Sequence, residues 1–227
     1  MRIVFLVLLC LVIFLGPQLW VKRIFAQHRI PRDDYPGTGG QLARHLLDRF
    51  NLKEVKVETT ELGDHYDPIT KIVRLTPDNF HEKSLTAVAV AAHEVGHALQ
   101  DQAQYQPLME RTRLAHVAQK TEKIGSFVML GIPIVAGLAR SPVASLLVLG
   151  AGLAIMGIST LLHLLTLPVE WDASFKRALP ILEKGGYVSA ADQLNARKIL
   201  KAAALTYVAG SLASLLNLWR WIALIRR

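Results

Sequence analysis

The chain has 227 residues, 52% of them hydrophobic, with a formal net charge of +8 and a mean hydropathy of +0.30. That is too apolar for an ordinary soluble domain, and the apolar residues gather in long runs, as in a membrane protein. The lone cysteine, Cys10, excludes an internal disulfide; the basic residues cluster beside the apolar runs, which fits membrane orientation and anionic lipid, and no nucleic-acid motif is present.

Residues 3–21 are nearly uncharged and long enough to span a bilayer. No small-x-small cleavage site follows them, and Trp20-Val21-Lys22-Arg23 has the look of an interfacial anchor, so an uncleaved anchor is expected rather than a signal peptide. Residues 41–50 have helical periodicity behind Thr38, Gly39 and Gly40. Residues 55–59 and 71–75 alternate like strands, with turn chemistry at Asp64-His65-Tyr66-Asp67-Pro68 and a stop at Thr76-Pro77-Asp78-Asn79. Together these read as a small α+β unit with a two- or three-stranded antiparallel sheet.

Ser84 then caps a helix that carries His93-Glu94-Val95-Gly96-His97. Residues four apart on a helix share a face, so His93 and His97 can point at one metal ion. Glu94 is placed to take a proton from a metal-bound water rather than to bind the metal. The plain alternative is a chance motif on a solvated face. The neighbours are alanine, valine and glycine, which points to a buried helix, where such a trio is costly unless a metal or partners satisfy it.

Another helix is expected over 109–123, then a membrane hairpin of two apolar arms, 124–139 and 143–167, joined at Arg140-Ser141-Pro142. Leu167-Pro168-Val169-Glu170 marks the return to the polar phase. A helix over 170–182 follows, ended by Pro180 or by Gly185-Gly186. Ser189-Ala190-Ala191-Asp192 resembles a capping box before a long helix, basic first and apolar from 202 to 225, which spans the membrane or lies in its interface. Lysines and arginines flank both polar sections and barely touch the hairpin tip, so both sections are expected on the cytoplasmic side.

A catalytic zinc needs a third protein ligand and an open position. The carboxylates after the hairpin are Glu170, Asp172, Glu183 and Asp192. Glu170 stands where it could meet the histidines. A helix-starting charge favoured by the dipole is the equal alternative. Asp172, about 200° further round a regular helix, is expected to face away from Glu170.

Residues 92–100 and 167–174, with Asp64-His65-Tyr66-Asp67-Pro68, Val73-Arg74-Leu75 and residues 202–208, resemble the YugP-type family of membrane zinc metallopeptidases over nearly the whole chain. More distantly the chain is similar to the gluzincins, including HtpX and the CAAX-processing proteases. The resemblance implies a bacterial plasma-membrane peptidase and carries the third zinc ligand onto Glu170. Gluzincins usually have an aspartate four residues after that glutamate, bracing a ligand histidine. Ser174 stands there instead, which puts that brace in question.

His65 and Tyr66 are candidates for binding substrate or stabilising the oxyanion, against an ordered turn. Tyr207 could donate to the tetrahedral intermediate, against an ordinary interfacial tyrosine. His163 sits almost two turns below Glu170, too deep to share the metal. His28, His45, His81 and His116 are expected to be solvated.

The expected architecture is a mainly α membrane protein, with three to four transmembrane helices plus a small α+β zincin-like domain with a short antiparallel sheet. It divides into an N-terminal anchor (1–21), a cytoplasmic zincin-like domain (22–123), a transmembrane hairpin (124–167), a cytoplasmic segment with the third ligand (168–203), and a membrane or interfacial helix (204–227). The expected activity is peptide-bond hydrolysis by a zinc-activated water. His93, His97 and Glu170 bind Zn²⁺, Glu94 is the general base, and peptides or membrane proteins are the substrates, laid along residues 72–75 as an extra strand. The rival is a membrane scaffold braced by a structural zinc. An intact Glu94 and the lack of a nearby cysteine as fourth ligand argue against it.

Overall fold

The structure, a computed structural model, describes residues 2–116 and 165–225; in the terminal helices, side chains are described at 12, from 15 onwards, and as far as 209. Helix α1 (Arg2–Gln27) is followed by α2 (Gly39–Arg49). Thr38 opens α2 with a reciprocal capping box: its hydroxyl accepts from Gln41 N–H, and Gln41 Oε1 accepts from Thr38 N–H. Strands β1 (Lys56–Thr59), β2 (His65–Asp67) and β3 (Ile72–Leu75) come next, then α3 (Pro77–His81) and α4 (Leu85–Gln102). Helix α5 covers 106–116. Helix α6 runs over 165–184, its middle, Asp172–Ala178, wound as a π-helix. Helix α7 (Gln193–Ile225) closes the described chain.

The sheet corrects the expectation in two ways. Its order is β1-β3-β2, with β1 parallel to β3 and β2 antiparallel to β3, so it is mixed rather than antiparallel. The turn after Asp67 is tight and sets β2 and β3 side by side. The loop from β1 therefore crosses over, and β1 pairs on the far side of β3. Strand β3 is thus paired on both sides and has no edge to offer a substrate. Strand β2, read from the sequence as a turn, is an edge.

Helix α4 is the axis of the core. Every residue from Leu85 to Ala98 is buried, as expected of a helix that is apolar all round. It packs on α2, α6 and α7, with Leu46, Leu47, Val73, Leu75, Leu182, Ile199 and Leu200 filling the surrounding layers. Ser84 caps it by accepting from Ala87 N–H at 3.1 Å. Gly96 lets α6 approach: a Cβ there would stand 2.8 Å from the Ala173 carbonyl oxygen. Helix α6 continues through Pro180 and ends at Gly185, with Gly186 at φ 69°. Ser189 and Asp192 bond each other just before α7 begins, Ser189 Oγ donating to Asp192 Oδ2 at 2.7 Å.

Three to four transmembrane helices were expected, and the structure does not bear them out: among the described residues no helix is long and apolar enough to cross a membrane. The described side chains of α1 include Gln18, Lys22, Arg23 and Gln27, those of α7 include Asn195, Arg197, Lys198 and Lys201, and α4 carries the polar motif itself. The two terminal helices pack on each other, Val21, Ala202 and Ala209 sharing a small cluster with Ile24 and Phe25. The hairpin expected over 124–167 lies outside the described residues, save for its last three, which already belong to α6. His163 lies outside them too.

Candidate metal centre

Helix α4 presents His93 and His97 on one face, and α6 brings Glu170 against them. His93 Nε2 lies 3.1 Å from Glu170 Oε2, and His97 Nε2 lies 3.3 Å from the same oxygen. All three side chains are buried, Glu170 being only 1% exposed. One ligand atom from each lies within 4.8 Å of the others. Residues 165–169 before Glu170 are already helical, so Glu170 is not at a helix start and the dipole-charge alternative falls away.

The surrounding hydrogen bonds fix which histidine nitrogens face the centre. Ser174 Oγ gives its only proton to the Leu200 carbonyl at 3.0 Å, so at 2.9 Å from His93 Nδ1 it accepts. Gln100 Nε2 donates to the Val169 carbonyl and to Asp172, so Gln100 Oε1, 2.9 Å from His97 Nδ1, also accepts. Each Nδ1 thus carries a proton, a tautomer assigned from the network, and each Nε2 turns a lone pair to the carboxylate oxygen. Three acceptors converging in a buried site repel one another unless a cation stands between them. Two ligands about 2.1 Å from a zinc ion at the tetrahedral angle lie about 3.4 Å apart, close to the spacings here. The donor set fits zinc.

Ser174 therefore braces His93 from the position where the gluzincin comparison had left the brace in question. Asp172, expected to face away from Glu170, is buried against Gln100 and Arg177: it is 6% exposed and accepts from Gln100 Nε2 at 2.9 Å and from Arg177 Nε at 2.8 Å.

A cleft of about 450 Å³ opens over the trio, lined by Glu94, His65, Tyr66, Arg111 and Tyr207 among others. Burial pushes Glu94 up to about 8, with the carboxylates of Glu170 and Asp64 acting in the same direction and Arg111 opposing.

The other candidates reach the same cleft. His65 donates from Nδ1 to the Gly63 carbonyl at 2.8 Å. The Tyr66 hydroxyl donates to Asp101 Oδ2 at 2.5 Å, and that carboxylate also pairs with Lys71. Tyr207 accepts from Arg111 at 2.7 Å, with the guanidinium 4.7 Å over its ring. His45 and His81 are exposed, and His116 is exposed at the rim of the cleft. His28 is half-buried rather than solvated, because its carbonyl accepts from Thr86 N–H and ties α1 to α4.

Sequence reasoning missed Arg111 and Gln100. Arg111 ion-pairs with Glu170 Oε1 at 3.1 Å, so one carboxylate oxygen faces the histidines and the other a guanidinium. No local signal marks it. Gln100 had one, since it stands three residues after His97 on the same helical face.

The chain belongs to the family described as "Putative neutral zinc metallopeptidase", whose model matches residues 3–226. It is similar to the "Putative membrane protease YugP" of Bacillus subtilis (strain 168), with 34% identity over 224 residues, covering 98% of this chain and 96% of that one. No solved structure matches it. The family implies zinc and a peptidase, and the trio on α4 and α6 is where such an ion would be held.

Proposed function

We propose that the protein is a zinc-dependent endopeptidase in which His93, His97 and Glu170 hold the metal and Glu94 is the general base. The observation that carries this reading is the convergence of two histidine lone pairs and one carboxylate oxygen in a buried site beside a cleft. When bound, zinc lowers the pKa of a coordinated water and polarises the scissile carbonyl. Glu94 lines the cleft beside the ligands, takes the proton of the attacking water and passes it to the leaving amine. An extended peptide lies along the free edge of β2, held by main-chain hydrogen bonds and so only weakly selective. Arg111, His65 and Tyr207 face the same space and stabilise the developing negative charge or orient the peptide.

The substrates proposed are peptides or membrane proteins, met at the cytoplasmic face of a membrane. Support comes from the relative's name, the basic excess, and the exposed Val12, Leu15 and Leu19 on α1. The rival, a scaffold with a structural zinc, calls for a closed site of four protein ligands. Among the described residues three converge. The test is chelation: stripping the purified protein of metal abolishes hydrolysis of an unfolded polypeptide, and zinc restores it. Hydrolysis that survives complete zinc removal overturns the reading.

A further inference from the structure

We infer that Asp172 is a positioning residue for the metal centre, acting through Gln100 on His97. The inference rests on the zinc reading above and extends it to residues with no place in the cleft.

Gln100 is fully buried one turn beyond His97. A side-chain amide can flip, exchanging its oxygen and nitrogen, and the flipped form would turn N–H hydrogens toward His97 Nδ1. That would draw the His97 proton to Nε2 and remove the lone pair a metal needs. Two acceptors prevent the flip. The Val169 carbonyl takes one amide hydrogen at 2.8 Å, and Asp172 Oδ1 takes the other at 2.9 Å. Neither has a proton of its own to give, so Oε1 is left facing His97.

Asp172 is held in turn. Arg177 Nε donates to its Oδ1 at 2.8 Å, and Lys176 Nζ stands 3.7 Å from Oδ2. The π winding of Asp172–Ala178 sets Arg177, five residues on, beside Asp172. Local π segments recur at functional sites, and here one segment supplies both braces: Ser174 to His93 directly, and Asp172 to His97 through Gln100.

The test is zinc affinity, measured by competition with a chromogenic chelator, together with melting of the metal-free protein. Gln100→Leu and Asp172→Ala should each weaken zinc binding about 10- to 100-fold. The double variant should bind no more weakly than Gln100→Leu alone, because both act along one path. A purely structural ion pair would lower metal-free melting and leave zinc affinity unchanged in Asp172→Ala. That result, or additive losses in the double variant, overturns the inference. If Asp172→Ala does not fold, Asp172→Leu decides, since it fills the space and removes the acceptor that holds Gln100. Affinity weakened as in Gln100→Leu supports the relay, and wild-type affinity overturns it. A wild-type protein that binds no zinc overturns the metal reading itself, whereas wild-type binding with unaffected variants overturns the relay alone.

Discussion

Ser174 Oγ stands 2.9 Å from His93 Nδ1 while its own proton goes to the Leu200 carbonyl, so α6 and α7 together set the tautomer of a histidine on α4. Ser174→Ala should weaken zinc binding about 10- to 100-fold, as loss of such a brace does elsewhere. Ser174→Thr keeps the hydroxyl and should retain more affinity than alanine. Equal affinities for the two variants would remove the hydroxyl from the account.

Gly96 sets how closely α4 and α6 approach. A methyl group there meets the Ala173 carbonyl oxygen at 2.8 Å, so Gly96→Ala must push the helices apart. Overpacking of this kind costs about 1–3 kcal/mol. Because Glu170 rides on α6, the variant should lose zinc affinity as well as stability. Denaturant unfolding with a parallel zinc titration measures both.

Arg111 neutralises the far oxygen of a carboxylate that is 1% exposed. Removing it leaves that charge buried beside the histidines alone. Breaking a buried pair costs about 3–5 kcal/mol. A bound zinc ion would compensate for much of this, so Arg111→Met should destabilise the metal-free protein far more than the zinc-loaded one. Melting curves with and without zinc test it, and equal losses in both would place Arg111 outside the metal site.

Asp67, at the end of β2, gives a pH signature that does not involve the metal ligands. Burial works against its ionised form, but bonds from the Thr70 hydroxyl, the Ile69 and Thr70 N–H groups and Arg74 hold it at about 2. A folded value below the ordinary ~3.9 means that the ionised group stabilises the fold above ~3.9, and that this contribution fades as pH falls through about 2. The stability gap between wild type and Asp67→Asn should therefore be full near neutral pH and close in strong acid. A gap that does not change with pH would contradict the assignment.

The helix bearing His93 and His97 was legible because metal binding demands an i, i+4 pair, and the alanine-rich surroundings announced burial. Glu170 was legible only as one of two readings. Choosing between them needs the position of α6 against α4, which spacing does not encode. Strand β2 was lost because His65-Tyr66-Asp67 is three residues long and ends in turn chemistry that dominates any short window. The order β1-β3-β2 was illegible for a related reason, since alternation marks a strand and says nothing about its neighbour. The link from Asp172 to Gln100 was illegible because it joins α6 to α4, and spacing within one helix says nothing about contacts across two. The spanning helices were inferred from apolar runs and the basic residues beside them, and among the described residues no helix is long and apolar enough to cross a membrane.

The measurement that bears most directly on the central claim compares wild type with Glu94→Gln, for zinc content and for hydrolysis of an unfolded polypeptide. Glutamine keeps the shape of the side chain and removes the base without touching a ligand. The account predicts about one zinc per chain in both proteins and hydrolysis in the wild type alone. A Glu94→Gln protein that holds zinc and still cleaves at the wild-type rate would contradict it.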